Sequence, residues 1–320
     1  MDFYSMGKRD PYQFVEYSGS YLEFVSKADP DSNFSLTDFK KELLGYLQKF
    51  VNDTKRRLES DILIDIIREG AFNFSAQELV RIQAAIHVVN LKFDFIRHQK
   101  SDMRISEKLN LELVQLDGDK VVATEEFSSI LSDITFKEFL LDSSRYSSSV
   151  FAQKLSKSQL SGDFNLHEKY SRRDILRLLN WDKNRNSAIL GGYRMSPDGT
   201  NCPIWVTYHK HEVEDSINYA DEFLSPSRFR WMSRSRRTTS SKELKPIIDA
   251  PESGVRLPFF IKKDDNEGID YYYLGDVVPV PGSVNDSTMP DGKGGSLDVV
   301  KFDFEFEHKV PEELYNYLIQ

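Results

Sequence analysis

PIWVTYHKHEVEDSINYADEFLSPSRFRWMSRSRRTTSS, residues 203–241, decides how the chain is read. It opens on Pro203-Ile204-Trp205-Val206-Thr207-Tyr208, a run dense in β-branched and aromatic residues that predicts a strand. It closes on Arg228-Phe229-Arg230-Trp231-Met232-Ser233-Arg234-Ser235-Arg236. In an extended chain, successive side chains point to opposite faces. Phe229, Trp231, Ser233 and Ser235 then share one face, and Arg228, Arg230, Arg234 and Arg236 share the other, with Met232 among them. Guanidinium groups along one side of a strand, with rings anchoring the other, suit an anionic, planar ligand. The alternative is that these arginines pair with the acidic cluster Glu212, Glu214, Asp215, Asp221 and Glu222.

On the C-terminal side the strand pattern continues. Residues 258–263 and 271–275 read as paired strands across a turn at 264–268, and residues 282–295 read as a flexible loop. Residues 300–307 alternate cleanly, with Phe302, Phe304 and Phe306 on one face and Lys301, Asp303, Glu305 and Glu307 on the other, as in a half-buried strand of an antiparallel sheet. Pro311 opens a terminal helix.

On the N-terminal side the period changes to that of helices. Residues 1–34 are polar and aromatic without a sustained period and read as an arm. A helix capped by Ser35 runs through Leu43 and Phe50. A second carries Ile62, Ile66 and Ile67 and stops at Gly70, and a third starts at the Ser75/Glu78 capping box with Leu79, Ile82, Ile86 and Val89 inward. Asp117-Gly118 between apolar runs predicts a hairpin, which together with the helices fits a winged helix. Residues 125–142 predict a further helix, residues 143–161, rich in serine, a connection, and residues 170–179 a short helix. Gly191-Gly192 and the turn at 196–199 bracket a short strand around Tyr193. Residues 212–218 have helical character. The fold class is therefore α+β: an arm (1–34), a helical domain with a β-hairpin (35–160), and a mostly antiparallel, strongly curved sheet or barrel with short helices (161–320).

The chain has 320 residues and a formal charge of −9, against the profile of a protein that coats nucleic acid indiscriminately. Residues 227–245 nevertheless hold five Arg, two Lys and one Glu, a local net of +6 that leaves −15 for the remainder. Such asymmetry steers a polyanion to one surface. No apolar run approaches a membrane span. The start, Met1-Asp2-Phe3-Tyr4-Ser5, lacks a secretion signal, and Cys202 is the single cysteine, so a reducing cytoplasm is the expected location.

The candidate nucleic-acid-binding residues are Arg228, Arg230, Arg234, Arg236 and Arg237, with Tyr208, Lys210 and Lys262 completing a groove. Trp205 and Trp231 are candidate walls of a pocket for an extruded base, against the commoner role of core residues. His209 and His211 lack a third ligand at metal-binding spacing, so no metal site is assigned. Cys202 has no partner set for a nucleophile. Asp221, Glu222 and Lys242 have the residue types of an acid-acid-lysine nuclease site, but consecutive carboxylates in a strand face opposite ways. No catalytic residue and no cofactor is assigned.

Several motifs in order carry a family resemblance: Tyr170, Asp174 and Leu178; Gly192-Tyr193; residues 203–210; Tyr219 with Asp221-Glu222-Phe223; Phe229, Trp231, Ser233, Ser235 and Ser241; and Phe260, Lys262-Lys263, Gly268, Tyr271-Tyr272-Tyr273 and Gly275. They resemble the uncharacterised C-terminal domain of bacterial superfamily II DEAD/DEAH-box helicases, often found in chains with a phospholipase-D-like nuclease. The helical stretch around residues 127–142 is similar to the segment that precedes it. The resemblance implies a role in restriction or phage defence beside a helicase or nuclease partner, and it supplies no catalytic residues. The chain itself carries no Gly-x-x-x-x-Gly-Lys-Ser/Thr loop and no phospholipase-D His-x-Lys pairs. It is then either a piece of a larger protein or a stand-alone relative working with a separate motor. The expected function is a non-catalytic DNA-binding accessory module. The alternatives are a metal-dependent restriction-type nuclease and a domain that docks a helicase or nuclease.

Overall fold

The computed structural model describes residues 12–31, 34–98, 101–155, 160–161, 163–185, 190–209 and 221–320. The chain divides into two compact units, one of Met1–Lys157 with Leu176–Asn184 and one of Ser158–Ile175 with Arg185–Gln320.

The first unit is mainly helical. Within the expected arm lie α1 (Tyr12–Ser18) and α2 (Tyr21–Ala28). Ser20 caps α2, accepting from the Glu23 N–H at 3.1 Å, and Tyr21, Leu22 and Val25 are buried. α3 (Asp38–Tyr46) is capped by Thr37, two residues past the expected Ser35, and runs into a π-helical turn at Leu47–Val51. α4 (Leu58–Glu69) buries Ile62, Ile66 and Ile67. It ends at Gly70, whose φ of 84° only glycine adopts without strain. β1 (Ala71–Asn73) leads to the Ser75/Glu78 capping box and α5 (Leu79–Val89). Ile82 and Val89 face inward as the spacing predicts, while Leu79 stays exposed in the first turn.

The hairpin of β2 (Phe95–His98) and β3 (Ser101–Arg104) and the short α6 (Ile105–Leu109) precede the Asp117-Gly118 hairpin of β4 (Val114–Asp117) and β5 (Lys120–Ala123). The sheet order β1-β5-β4 sets the Asp117-Gly118 hairpin beside β1, with helices before and between the strands. The expected helix over 125–142 is two, α7 (Glu125–Leu131) and α8 (Ile134–Leu155).

α8 runs through the serine-rich residues expected as a connection. Ser143, Ser144 and Ser147 are buried in it. Asn52, which closes the π-helical turn, donates to Ser143 Oγ at 2.9 Å and accepts from Ser60 and Ser144, both at 3.2 Å. Composition marks such residues as linker because serine solvates readily. Here the Asn52 amide and the Leu140 carbonyl satisfy Ser143 and Ser144, the Asp53 carbonyl takes the Ser147 hydroxyl, and a satisfied hydroxyl is stable inside.

In the second unit, β6 (Leu160–Ser161) and β7 (Phe164–Asn165) form a small hairpin. β8 (Lys169–Tyr170) follows, and then α9 (Arg172–Leu178), which matches the expected short helix and whose residues from Leu176 on are counted with the first unit. The main sheet holds β9 (Ile204–His209), β10 (Glu222–Ser225), β11 (Arg228–Met232), β12 (Pro258–Asp264), β13 (Tyr271–Pro279), β14 (Asn285–Pro290) and β15 (Ser296–Phe306). The order is β10-β11-β15-β13-β12-β9, with β14 also on β15 and β8 also on β13. Its pairs are antiparallel except β9 with β12. The sheet curls into a half-barrel, and the fold is α+β as expected. Its concave core takes Ile204, Val206, Phe229, Trp231, Phe259, Ile261 and the Phe302/Phe304/Phe306 stripe. Residues 285–290, expected as flexible loop, pair along β15 from Asn285↔Lys301 to Pro290↔Ser296. The terminal helix Glu312–Ile319 starts after Pro311. The helical character expected over 212–218 lies outside the described residues. No described helix is long and apolar enough to cross a membrane.

Candidate nucleic-acid interface

Along β11 the expected alternation holds for the strand itself. Phe229 and Trp231 are buried in the core, and Arg228 and Arg230 project from the opposite face. Their cross-strand neighbours on β15 are Glu305 and Asp303. Arg230 binds Asp303 as a fork, Nε to Oδ1 at 2.8 Å and one terminal nitrogen to Oδ2 at 3.1 Å, and its other terminal nitrogen reaches Glu222 Oε1 at 3.1 Å. The hydrogen bonds it donates to Asp303 are the main reason the Arg230 guanidinium holds its proton more tightly than usual. Arg228 stands 4.0 Å from Glu305. Of the acidic cluster considered from sequence, Glu222 is a partner. Asp303, 73 positions on from Arg230, and Glu305 were expected on the polar face of their own strand, but nothing in the sequence paired that face with the arginines.

The alternation expected through Arg236 stops at Met232, which packs with Met289 and Val299 rather than standing in a row of cations. Ser233 then pairs with β15 twice, its N–H to the Val300 carbonyl and its Oγ accepting the Val300 N–H, both at 2.9 Å. With both polar groups turned to β15, the following residues leave the strand. Arg234 lies over the Tyr193 ring, 4.2 Å from its centroid, and donates to the Tyr193 carbonyl. Gly191 is required beside it. Its φ is +61°, and a Cβ there would come within 3.3 Å of Arg234 Cζ.

Arg237 forks onto Glu243, and the Tyr193 hydroxyl donates to the same carboxylate at 2.6 Å. Burial alone would raise the Glu243 carboxyl; hydrogen bonds from Arg237 and Tyr193 outweigh it and hold it below its ordinary range. Burial, reinforced by Glu243, pushes the Tyr193 hydroxyl above its own. The Arg237 N–H reaches the Asp298 carbonyl at 3.1 Å. Between these fixed arginines, Arg236 turns outward with φ +60°, a left-handed conformation that costs about 1–2 kcal/mol outside glycine. Arg236 and Lys242 are exposed, and among the described residues neither has a carboxylate partner.

The other expected residues sit elsewhere. Lys262 is buried, bonded to the Gly268 carbonyl at 3.2 Å and to Asp265 at 2.9 Å, beside the Tyr271 ring. Tyr208 packs its ring on Phe223 and Phe229. No described hydrogen bond or ion pair joins either to the arginine loop. Lys210 and His211 lie outside the described residues. The pairing of Trp205 with Trp231 as pocket walls is corrected by the fold. Both are buried, but Trp231 belongs to the concave core with Ile204 and Val206, while Trp205, between those two in sequence, faces the other side and stacks on Phe260. Strand alternation separates them.

Glu222 is held by Arg230, and an Asp221 oxygen accepts the Met232 N–H at 2.9 Å, so these carboxylates serve the strand pair. Among the described residues no group of three or more His, Cys, Asp or Glu side chains is arranged to hold a metal. Burial pushes the Cys202 thiol up to about 12. Tyr193 and Glu243, which hold the loop, were not anticipated as site residues. The Gly191-Gly192 pair was the available signal, marking where backbone and a guanidinium meet closely.

Residues 164–318 match the family model described as Domain of unknown function (DUF3427), and residues 1–154 match the one described as Domain of unknown function (DUF8090). The first covers most of the stretch that carried the family resemblance. Chaperone protein HtpG of Rickettsia bellii, strains OSU 85-389 and RML369-C, is 30% identical over 128 residues, covering 36% of this chain and 21% of that protein. The chain thus spans about a fifth of the length of the curated relatives it matches. Among solved structures, the DNA modification-dependent restriction endonuclease AspBHI aligns with a TM-score of 0.30 and 13% identity over 50% of this chain and 78% of that one.

Proposed function

We propose that this chain is a DNA-binding accessory module of a restriction or phage-defence system, working beside a helicase or nuclease rather than performing the chemistry. The observation that carries this reading is the arginine loop. Residues 233–245 hold five cations against one acid, Arg234 and Arg237 are fixed by Tyr193 and Glu243, and Arg236 is turned out to solvent without a carboxylate. A guanidinium presented from a fixed backbone offers a phosphate a forked pair of donors at little ordering cost. Arg236 and Lys242 make the first phosphate contacts. Arg228 and Arg230 join by exchanging an exposed carboxylate for a phosphate, a trade of nearly equal energy at a surface. The order of motifs resembling the helicase C-terminal domain supports the biological setting.

The test is duplex and single-stranded DNA binding by fluorescence anisotropy across a salt series. Replacing Arg236 and Lys242 by Ala together should lower affinity at low salt and flatten the logarithmic salt dependence by roughly 1–2, with unfolding unchanged. Equal affinity and slope in wild type and variant overturn the reading.

A further inference from the structure

The arginine loop is strapped to the neighbouring hairpin by one exposed carboxylate. Thr239 donates its backbone N–H to Asp286 Oδ1 at 2.7 Å and its hydroxyl to Asp286 Oδ2 at 3.0 Å. Asp286 is fixed in turn because β14 pairs along β15, where it sits opposite Val300. Val300 is also the residue to which Ser233 ties the start of the loop, through hydrogen bonds in both directions. Arg236 therefore projects from a segment held on one side by Ser233 on Val300, on the other by Thr239 on Asp286, and by the Arg237 N–H on the Asp298 carbonyl between them.

A carboxylate beside a cationic binding loop is, by charge alone, a liability, because it repels the polyanion the loop attracts. Here both of its oxygens are used to hold the backbone that carries Arg236 in a left-handed turn which a loosened loop would not keep. We infer that Asp286 is a positioning residue of the DNA interface: it strengthens binding by fixing the Arg236 turn, although its charge opposes binding. This rests on the DNA-binding reading of the loop and adds which residue organises it.

The two effects have opposite signs, so a substitution separates them. Asp286→Ala removes a negative charge and the strap together. If charge dominates, affinity for DNA rises; if positioning dominates, it falls, by roughly 3- to 10-fold for the loss of one or two hydrogen bonds. Asp286→Asn removes the charge but keeps an amide oxygen for the Thr239 N–H, so its affinity should equal or exceed wild type. The measurement is anisotropy on the full chain with a fluorescent duplex at low salt, alongside Arg236→Ala. A second readout needs no DNA: hydrogen exchange of the amides at residues 236–241 should quicken in Asp286→Ala and stay near wild type in Asp286→Asn. Loss of affinity in Asp286→Ala, its recovery in Asp286→Asn and faster exchange in the former are the expected results. A rise in affinity in Asp286→Ala while Arg236→Ala loses binding overturns the positioning role and leaves the DNA reading standing. If Arg236→Ala binds as wild type, the DNA reading fails. Exchange then decides whether the strap exists at all, and unchanged protection in Asp286→Ala removes it.

Discussion

Arg177 crosses 118 positions of sequence to donate its Nε to Glu59 Oε1 at 3.2 Å, and both side chains are sealed from solvent. Arg56 grips the same carboxylate from the other side, and Asp53 and the Val51 carbonyl take the remaining donors of Arg177. Leu58–Glu69 and the segment from Leu176 are thereby joined within the first unit through a charge cluster rather than through apolar packing alone. Burial by itself raises the Glu59 carboxyl, but two guanidinium groups outweigh it and bring it to about 2 from an ordinary 4.5.

A carboxyl held lower in the folded than in the unfolded chain adds stability above its unfolded value and loses it as pH falls toward the folded one. The first unit should therefore lose on the order of 3 kcal/mol between pH 4.5 and pH 2 through this group. Glu59→Gln should be destabilised at neutral pH by about 3–5 kcal/mol, because two buried guanidiniums lose their counter-charge, and should show a flatter acid limb. Urea unfolding at a series of pH values checks both. A variant with the wild-type slope would remove Glu59 as the cause.

Asn52 serves three buried hydroxyls at once. Asn52→Leu should cost about 1–3 kcal/mol through the Ser60 hydroxyl it strands, while Ser143 and Ser144 keep the Leu140 carbonyl as acceptor; Ser144→Ala, which leaves Asn52 its bond to Ser60, should cost less. Denaturant midpoints of the two variants give the ranking.

On the proposed DNA-binding reading, Asp303 competes with phosphate for Arg230. Asp303→Asn should weaken the fork, raise DNA affinity two- to fivefold by roughly the worth of an exposed ion pair, and change stability by less than about 1 kcal/mol. Titration of the variant with labelled duplex is the measurement; unchanged affinity would take Arg230 out of the interface.

Gly191→Ala should destabilise the second unit by about 1–2 kcal/mol from its left-handed backbone, and displace Arg234 from the Tyr193 ring as the new methyl meets the guanidinium. Tyrosine fluorescence and thermal melting report the two effects.

Cys202 should resist thiol reagents in the folded protein at pH 8, since burial holds it in the thiol form. Labelling with a chromogenic disulfide reagent should appear only on unfolding, at one equivalent per chain.

Much of this was legible from residue order. The four-residue steps from Leu58 to Ile62 to Ile66, the capping box at Ser75, the Asp117-Gly118 hairpin and the Phe302/Phe304/Phe306 alternation each dictate a local element, because backbone sterics and the burial of one face act over a few residues. The alternation of Arg228 through Trp231 was readable for the same reason. What these residues meet was not. Asp303 and Glu305 face Arg230 and Arg228, and Asp286 faces Thr239, only after strands distant in sequence pair, and Ser143 and Ser144 meet Asn52 only because it lies 91 and 92 positions away along the chain but beside them in space. Local pattern determined which elements form and which face each one buries. The tertiary pairing alone decided which charges neutralise one another and that Arg236 of the loop is turned outward, because an ion pair depends on distance in space, to which the order of residues along the chain is blind.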